Sequence, residues 1–211
     1  PAKSVVIGDH CYIGEHVQII CDDFHLGDYS KIHHHTNVHG YLPCFIGHNA
    51  WIGQYTLIDS IGGMHIGHNC GIGAHSQLWS HIKYGDTLEG CRFLSEKPMH
   101  IGQDVWFVGH CIVSPIEAAD KSMAMAGSVV TRDMKYNEIY AGSPAVSISH
   151  KIGFQFTERS IGEKMDAMRT YLEQYGSGDI RLVDHESQID FSDPWSYFNV
   201  RERRYKKTGS E

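Results

Sequence analysis

The sequence has no CxxC pair, no apolar run approaching the ~18 residues that suggest a membrane span, no amino-terminal signal-like segment and no surplus of positive charge. Each absence excludes a class. Six cysteines, Cys11, Cys21, Cys44, Cys70, Cys91 and Cys111, are scattered through 211 residues. That number and spacing argue against a zinc ribbon or a disulfide framework and favour a reducing, cytoplasmic setting. Lys and Arg total 18 against 25 Asp and Glu, a formal charge of −7, so no broad basic field exists to attract nucleic acid or anionic lipid. The expectation is a soluble protein with one main core, without nucleic-acid binding or membrane insertion. What the chain does have is 22 Gly and 16 His, and the glycines are periodic.

Aliphatic-Gly pairs occur at Ile7-Gly8, Ile13-Gly14, Leu26-Gly27, Ile46-Gly47, Ile52-Gly53, Ile66-Gly67, Ile72-Gly73 and Ile101-Gly102. With degenerate members the inward positions form six triplets: Ile7, Ile13, Ile19; Leu26, Ile32, Val38; Ile46, Ile52, Ile58; Ile66, Ile72, Leu78; Ile101, Phe107, Val113; and Ala118, Ala124, Val130. Spacing within every triplet is six, and all departures from six fall between triplets. A three-sided prism explains this, with insertions leaving from one corner and an aliphatic residue on each side stacking on its equivalent one coil away. Glycine after the aliphatic residue permits a corner where a side chain would clash or φ must be positive. Parallel strands about 4.8 Å apart over six coils predict a prism roughly 29 Å tall.

The repeat ends before Pro144. Residues 157–175 carry Ile161, Met165, Met168 and Leu172 at helical spacing, with Ser160 and Glu163 at capping-box separation, so one amphipathic helix is expected, ending at the Gly176-Ser-Gly segment. A short strand at residues 181–183 and a basic end at Arg201, Arg203, Arg204, Lys206 and Lys207 complete an accessory segment. The expected division is a β-helix domain at residues 1–148 and a carboxy-terminal segment at 149–211.

The stretches Ile101-Gly-Gln-Asp-Val-Trp-Phe-Val-Gly, Ala126-Gly-Ser-Val-Val-Thr-Arg-Asp and Tyr140-Ala-Gly-Ser-Pro-Ala resemble the terminal coils of hexapeptide-repeat acyltransferases, in the branch of the galactoside and maltose O-acetyltransferases. The resemblance covers about residues 1–148. It implies an all-β, left-handed parallel β-helix; the handedness comes from the resemblance alone, because parallel crossovers are ordinarily right-handed. It further implies a cytoplasmic homotrimer that transfers acetyl from acetyl-CoA to a hydroxyl of a sugar or glycan precursor, an activity of polysaccharide modification, with no metal. An amino-sugar N-acetyltransferase is the nearest variant, since one base serves either acceptor.

A prism with a filled aliphatic interior has no internal pocket, so a site must lie outside it, beside an inserted loop or a neighbouring subunit. The long insertion, residues 80–98, leaves the third corner with His81 at its base. In the family resembled, a His just before this loop is the general base, a task that suits an imidazole titrating near neutral pH. His75, six residues earlier, is its rival. Asp59 resembles a family carboxylate that grips acceptor hydroxyls, its alternative being a solvated corner. Trp106 either packs on the acceptor or covers a subunit seam. Tyr84, in the loop, offers stacking surface to the acceptor. By the same resemblance Gly109, Ala126 and Thr131 bind CoA. Lys135 is a candidate for its phosphates, because Val146 and Ser149 stand where basic residues often occur.

The run His33-His34-His35 with His39 invites a metal reading of the kind found in γ-type carbonic anhydrases. Consecutive strand residues point to opposite faces, however, so three adjacent imidazoles cannot converge. A non-catalytic trimeric scaffold is the contrasting class.

Overall fold

The computed structural model describes residues 3–176, 180–190, 192 and 195–206. Two compact units divide the chain, Pro1–Phe156 and Thr157–Glu211.

In the first unit short parallel strands stack into three sheets that form the faces of a prism. The first face runs through Ser4–Ile7, Asp23–Leu26, Cys44–Ile46, Met64–Ile66, Met99–Ile101 and Glu117–Ala118. On the second lie Tyr12–Ile13, Lys31–Ile32, Trp51–Ile52, Gly71–Ile72, Trp106–Phe107, Met123–Ala124 and Ile139–Gly142. Gln18–Ile20, Asn37–His39, Leu57–Asp59, Gln77–Leu78, Ile112–Val113 and Val129–Val130 make the third. The register sets each hexad residue on its equivalent: Ile46 beside Ile66, Ile52 beside Ile72, Ile58 beside Leu78. These rows form one continuous buried core, and burial of apolar surface is the main force holding the coils together. Ile7 and Ile13, in the first coil, have a neighbour on one side only and are correspondingly exposed.

A partial seventh turn follows the six coils. Met134 bridges to Ala118, and Ile139–Gly142 pairs with Met123–Ala124 before turning back antiparallel through Ala145–Ser147. Met134 and Tyr140 are both buried and keep the spacing of six, but neither belongs to an aliphatic-Gly pair. The Tyr140 hydroxyl accepts from the Lys135 backbone N–H at 2.9 Å and donates to Glu138 Oε2 at 3.0 Å, which satisfies a polar group at an inward position.

The repeat glycines serve close approach between coils. A Cβ on Gly53 would lie 2.5 Å from the backbone nitrogen of Ala74 in the next coil, inside any van der Waals limit. Positive φ is carried two residues further on, for instance at Tyr55 (56°) and His75 (59°). At the corner between the second and third faces these left-handed residues stack in one column: His16 on His35, His35 on Tyr55, Tyr55 on His75 and His75 on His110, with centroids 4.7 to 5.1 Å apart. Four of the 16 histidines therefore belong to one stacked column.

In the second unit, helix Ile161–Tyr175 starts at Ser160 with both hydrogen bonds of the capping box and ends at left-handed Gly176. Its half-buried positions include Ile161, Met165, Met168 and Leu172, and it contacts strand Ile180–Val183. That strand pairs in parallel with Ser196–Asn199, which pairs antiparallel with Arg204–Lys206. Ser177, Gly178 and Lys207 lie outside the described residues.

Candidate active site

The corner between the third and first faces brings His81 and Asp59 together. Leu78 points into the core, the Trp79 backbone N–H donates to Val113 O at 2.9 Å, and the chain then leaves the prism. It leaves as an antiparallel ribbon, His81–Lys83 against Leu94–Glu96, with Lys83 Nζ 2.8 Å from Glu96 Oε1. His81 is the first residue of this ribbon, so a rigid coil fixes its backbone on one side and a paired strand on the other.

One coil away, Asp59 ends the third-face strand Leu57–Asp59. Its Oδ2 lies 2.8 Å from His81 Nδ1 and also accepts from the Ser80 backbone N–H at 2.9 Å and the Ser80 hydroxyl at 2.7 Å. Ser80 Oγ in turn accepts from the Gly62 N–H at 2.9 Å. The Asp59 side chain is 0% exposed and that of His81 21% exposed. A carboxylate facing Nδ1 places the imidazole proton there and leaves the Nε2 lone pair for another proton. The indole of Trp79 stands edge-on to the His81 ring, with centroids 6.2 Å apart.

This geometry corrects the expected reach of Asp59. With no exposed surface and Oδ2 held by His81 and Ser80, it offers no face to an acceptor hydroxyl; its contact is with the imidazole. Ser80 is a participant that pattern reading passed over. Its signal was a Ser directly before the candidate base.

The other candidates lie elsewhere on the chain. Tyr84, at the end of the ribbon, is 97% exposed, and Leu88 and Phe93 beyond it are also exposed. Trp106 is on the second face, its indole over Gly71, where a Cβ would meet Cδ1 at 3.0 Å. It lines a shallow groove of about 330 Å³ with Trp51, Asn69, Gln155 and Phe156. Gly109 and Ala126 occupy the corner between the second and third faces on successive coils, where the Gly127 N–H donates to Gly109 O at 2.9 Å. Thr131 follows the third-face strand Val129–Val130, and Lys135 opens the partial seventh turn. Within one chain the structure joins His81 to Asp59 by a hydrogen bond, with Tyr84 at the end of the same ribbon and Thr131 at the same corner, and leaves Trp106, Gly109 and Ala126 on another face and corner.

His75 sits mid-column between Tyr55 and His110, at the corner between the second and third faces. The residues of the histidine run diverge. His33 packs on Tyr12 and Trp51, the backbone N–H of Glu15 donates to His34 Nδ1 at 2.9 Å, and His35 joins the ring column. Burial, aided by His34 and Lys31, holds the His33 imidazole below its usual pKa. Among the described residues no group of three or more His, Cys, Asp or Glu is placed to hold a metal ion. Nor is any described helix long and apolar enough to cross a membrane.

No family model matches the sequence. Proteins of several Staphylococcus aureus strains, named as presumptive acetyltransferases with no acceptor stated, are 42% identical over 48 residues. That stretch is 22% of this chain and 24% of theirs. Among solved structures, AntD, an N-acyltransferase from Bacillus cereus in complex with dTDP and 3-hydroxybutyryl-CoA, covers 82% of this chain and 92% of its own at 16% identity, with a TM-score of 0.59. An AntD variant in complex with dTDP-4-amino-4,6-dideoxyglucose and coenzyme A gives 0.61 at 17% identity, over 80% of this chain and 91% of its own. The polySia-specific acetyltransferase NeuO gives 0.51 at 18% identity, over 82% and 95%. Parallel stacking of the coils, the hexad core and these likenesses together show that the chain has the left-handed parallel β-helix fold of the hexapeptide-repeat acyltransferases.

Proposed function

We propose that this protein is an acetyl-CoA-dependent acetyltransferase that acts on a hydroxyl of a sugar or glycan precursor, with His81 as general base. The observation that carries the reading is the buried Asp59 carboxylate 2.8 Å from His81 Nδ1. A carboxylate so placed selects the tautomer in which Nε2 is the basic nitrogen and stabilises the imidazolium once it forms. Nε2 takes the hydroxyl proton as the acceptor oxygen bonds to the thioester carbonyl carbon. Collapse of the tetrahedral intermediate breaks the C–S bond, and the imidazolium returns the proton to the departing thiolate of CoA. No acyl-enzyme is needed.

Acetyl-CoA is the co-substrate. The exposed small residue Ala126 leaves backbone open to an extended pantetheine arm beside buried Gly109 on the adjacent coil, while Thr131 and Lys135 lie exposed further along the chain. Because Gly109 and Ala126 occupy a different corner from His81, the reading includes a homotrimer in which a neighbouring subunit completes each site. An amine acceptor on a nucleotide-linked amino sugar is the second reading, supported by the AntD likeness that extends over four-fifths of the chain. One assay decides among these: release of free thiol from acetyl-CoA in the presence of free sugars, oligosaccharides, nucleotide sugars and nucleotide amino sugars. Thiol release with a hydroxyl acceptor supports the reading, and release with amino sugars alone transfers it to N-acylation. If no acceptor works and acetyl-CoA gives no thermal stabilisation, the protein is a scaffold.

A further inference from the structure

The Asp59 carboxylate is served unevenly. All three donors that reach it, the His81 ring, the Ser80 N–H and the Ser80 hydroxyl, converge on Oδ2. Oδ1 is buried and has no hydrogen-bond partner. A buried carboxylate oxygen without a donor is an unmet hydrogen-bonding demand, and a carboxylate anchored through one oxygen alone holds His81 less firmly in one orientation.

A donor stands on the adjacent coil. His39 and Asp59 are paired residues in the parallel register, with Val38 beside Ile58 one position before them. Val38 and Ile58 point into the core, so by strand alternation His39 and Asp59 project together to the outside of the third face, about 4.8 Å apart along the prism. His39 Nδ1 is likewise buried and without a partner. The Ser60 hydroxyl, also buried and unpartnered, lies instead over Gly40, where a Cβ would meet it at 2.5 Å.

We infer that His39 is a positioning residue for the proposed reaction: its Nδ1–H donates to Asp59 Oδ1, directly or across one water, and fixes the carboxylate between two imidazoles. This rests on the reading of His81 as the base. The column His39, Asp59, His81 crosses three successive coils, each residue acting on the next. His39 touches no reacting atom; it acts through Asp59.

The test uses the full chain with its histidines labelled with ¹⁵N, His81 and His39 being assigned from the signals lost in His81→Gln and His39→Asn. In the wild type both rings should be Nδ1–H tautomers at neutral pH; an unprotonated His39 Nδ1 overturns the inference. His39→Leu should release His81 into a mixture of tautomers and lower kcat about tenfold, the size of a lost hydrogen bond to a charged group, with KM for acetyl-CoA unchanged. His39→Asn, whose amide N–H can take the place of Nδ1–H, should restore both. An unchanged His81 tautomer and kcat in His39→Leu overturns the inference, as does a response confined to Ser60→Ala. Wild-type protein without acyltransfer would defeat the proposed function separately, because the tautomer response is read without turnover.

Discussion

His81 Nδ1 and Asp59 Oδ2 meet at 2.8 Å although 22 residues separate them in the chain. The carboxylate contributes orientation, so replacing it with a near-isosteric amide should be more informative than deleting it. Asp59→Asn presents either an N–H to Nδ1, which forces the wrong tautomer, or a weaker neutral acceptor. Turnover should fall about a thousandfold to ten-thousandfold, by analogy with the serine-protease aspartate whose amide variant has the wrong tautomer. Asp59→Ala adds a structural defect, because the Ser80 N–H and hydroxyl lose their acceptor at a buried place, at a cost of about 1–3 kcal/mol. Steady-state kinetics beside thermal unfolding separate the two variants.

Loss of the base itself has a different signature. His81→Ala should lower kcat roughly a hundredfold to ten-thousandfold and leave acetyl-CoA affinity nearly unchanged. The same change at His75 should leave kcat within a few-fold, since His75 is part of the ring column at another corner. Equal losses of kcat in the two variants, with both folded, would remove His81 from its role.

Two glycines should respond to alanine for different reasons. At Gly53 the added Cβ falls 2.5 Å from the Ala74 nitrogen and 2.8 Å from its Cα, so two coils must part; overpacking of this kind costs about 1–3 kcal/mol. At Gly127 the added atom meets nothing within 4 Å, and the penalty is the left-handed φ of 72°, about 1–2 kcal/mol. Denaturant unfolding should rank Gly53→Ala as the more damaging, with a clear loss in both.

Buried thiols set an alkaline limit on stability. Burial pushes the Cys70 thiol up to about 12 and raises that of Cys44 further. A folded state that holds the proton more tightly than the unfolded chain loses stability as the unfolded thiol ionises, so stability should fall from about pH 9 upward and keep falling to about pH 12. Cys70→Ala should flatten that slope; the equivalent positions on neighbouring coils are already Ala50 and Val105. In native protein a thiol reagent should react with partly exposed Cys91 and Cys11 and spare Cys21, Cys44, Cys70 and Cys111.

The ribbon carries apolar residues into solvent: Tyr84, Leu88 and Phe93 are all largely exposed on the single chain. Residues 84–93 replaced by a short Gly-Ser turn should retain the Lys83 and Glu96 pairing and acetyl-CoA binding. In the trimeric reading the replaced chain should still assemble while kcat/KM for the acceptor falls at least tenfold, as expected when an enclosing loop is lost. Light scattering and acceptor kinetics check the two parts. Monomeric wild-type protein at micromolar concentration would defeat the trimer.

The hexad spacing alone determined which residues face inward. An aliphatic residue every six positions can be buried in only one kind of winding, and every triplet member from Leu26 to Val130 is in the buried core. Grouping into triplets also located the insertion and therefore the position of His81, and Ser160 with Glu163 marked the start of the later helix. The partial seventh turn was not legible, because Met134 and Tyr140 keep the spacing without the aliphatic-Gly chemistry. Nor did local sequence show whether the repeat glycines answer to φ or to contact; that depends on the backbone of the next coil, some twenty residues away. Asp59 illustrates the limit best. From sequence it reads as a grip on acceptor hydroxyls or as a solvated corner, and only the tertiary structure showed its contact: winding the chain once more lays Ser80 and His81 over it, and burial makes the carboxylate a fixed partner for the imidazole.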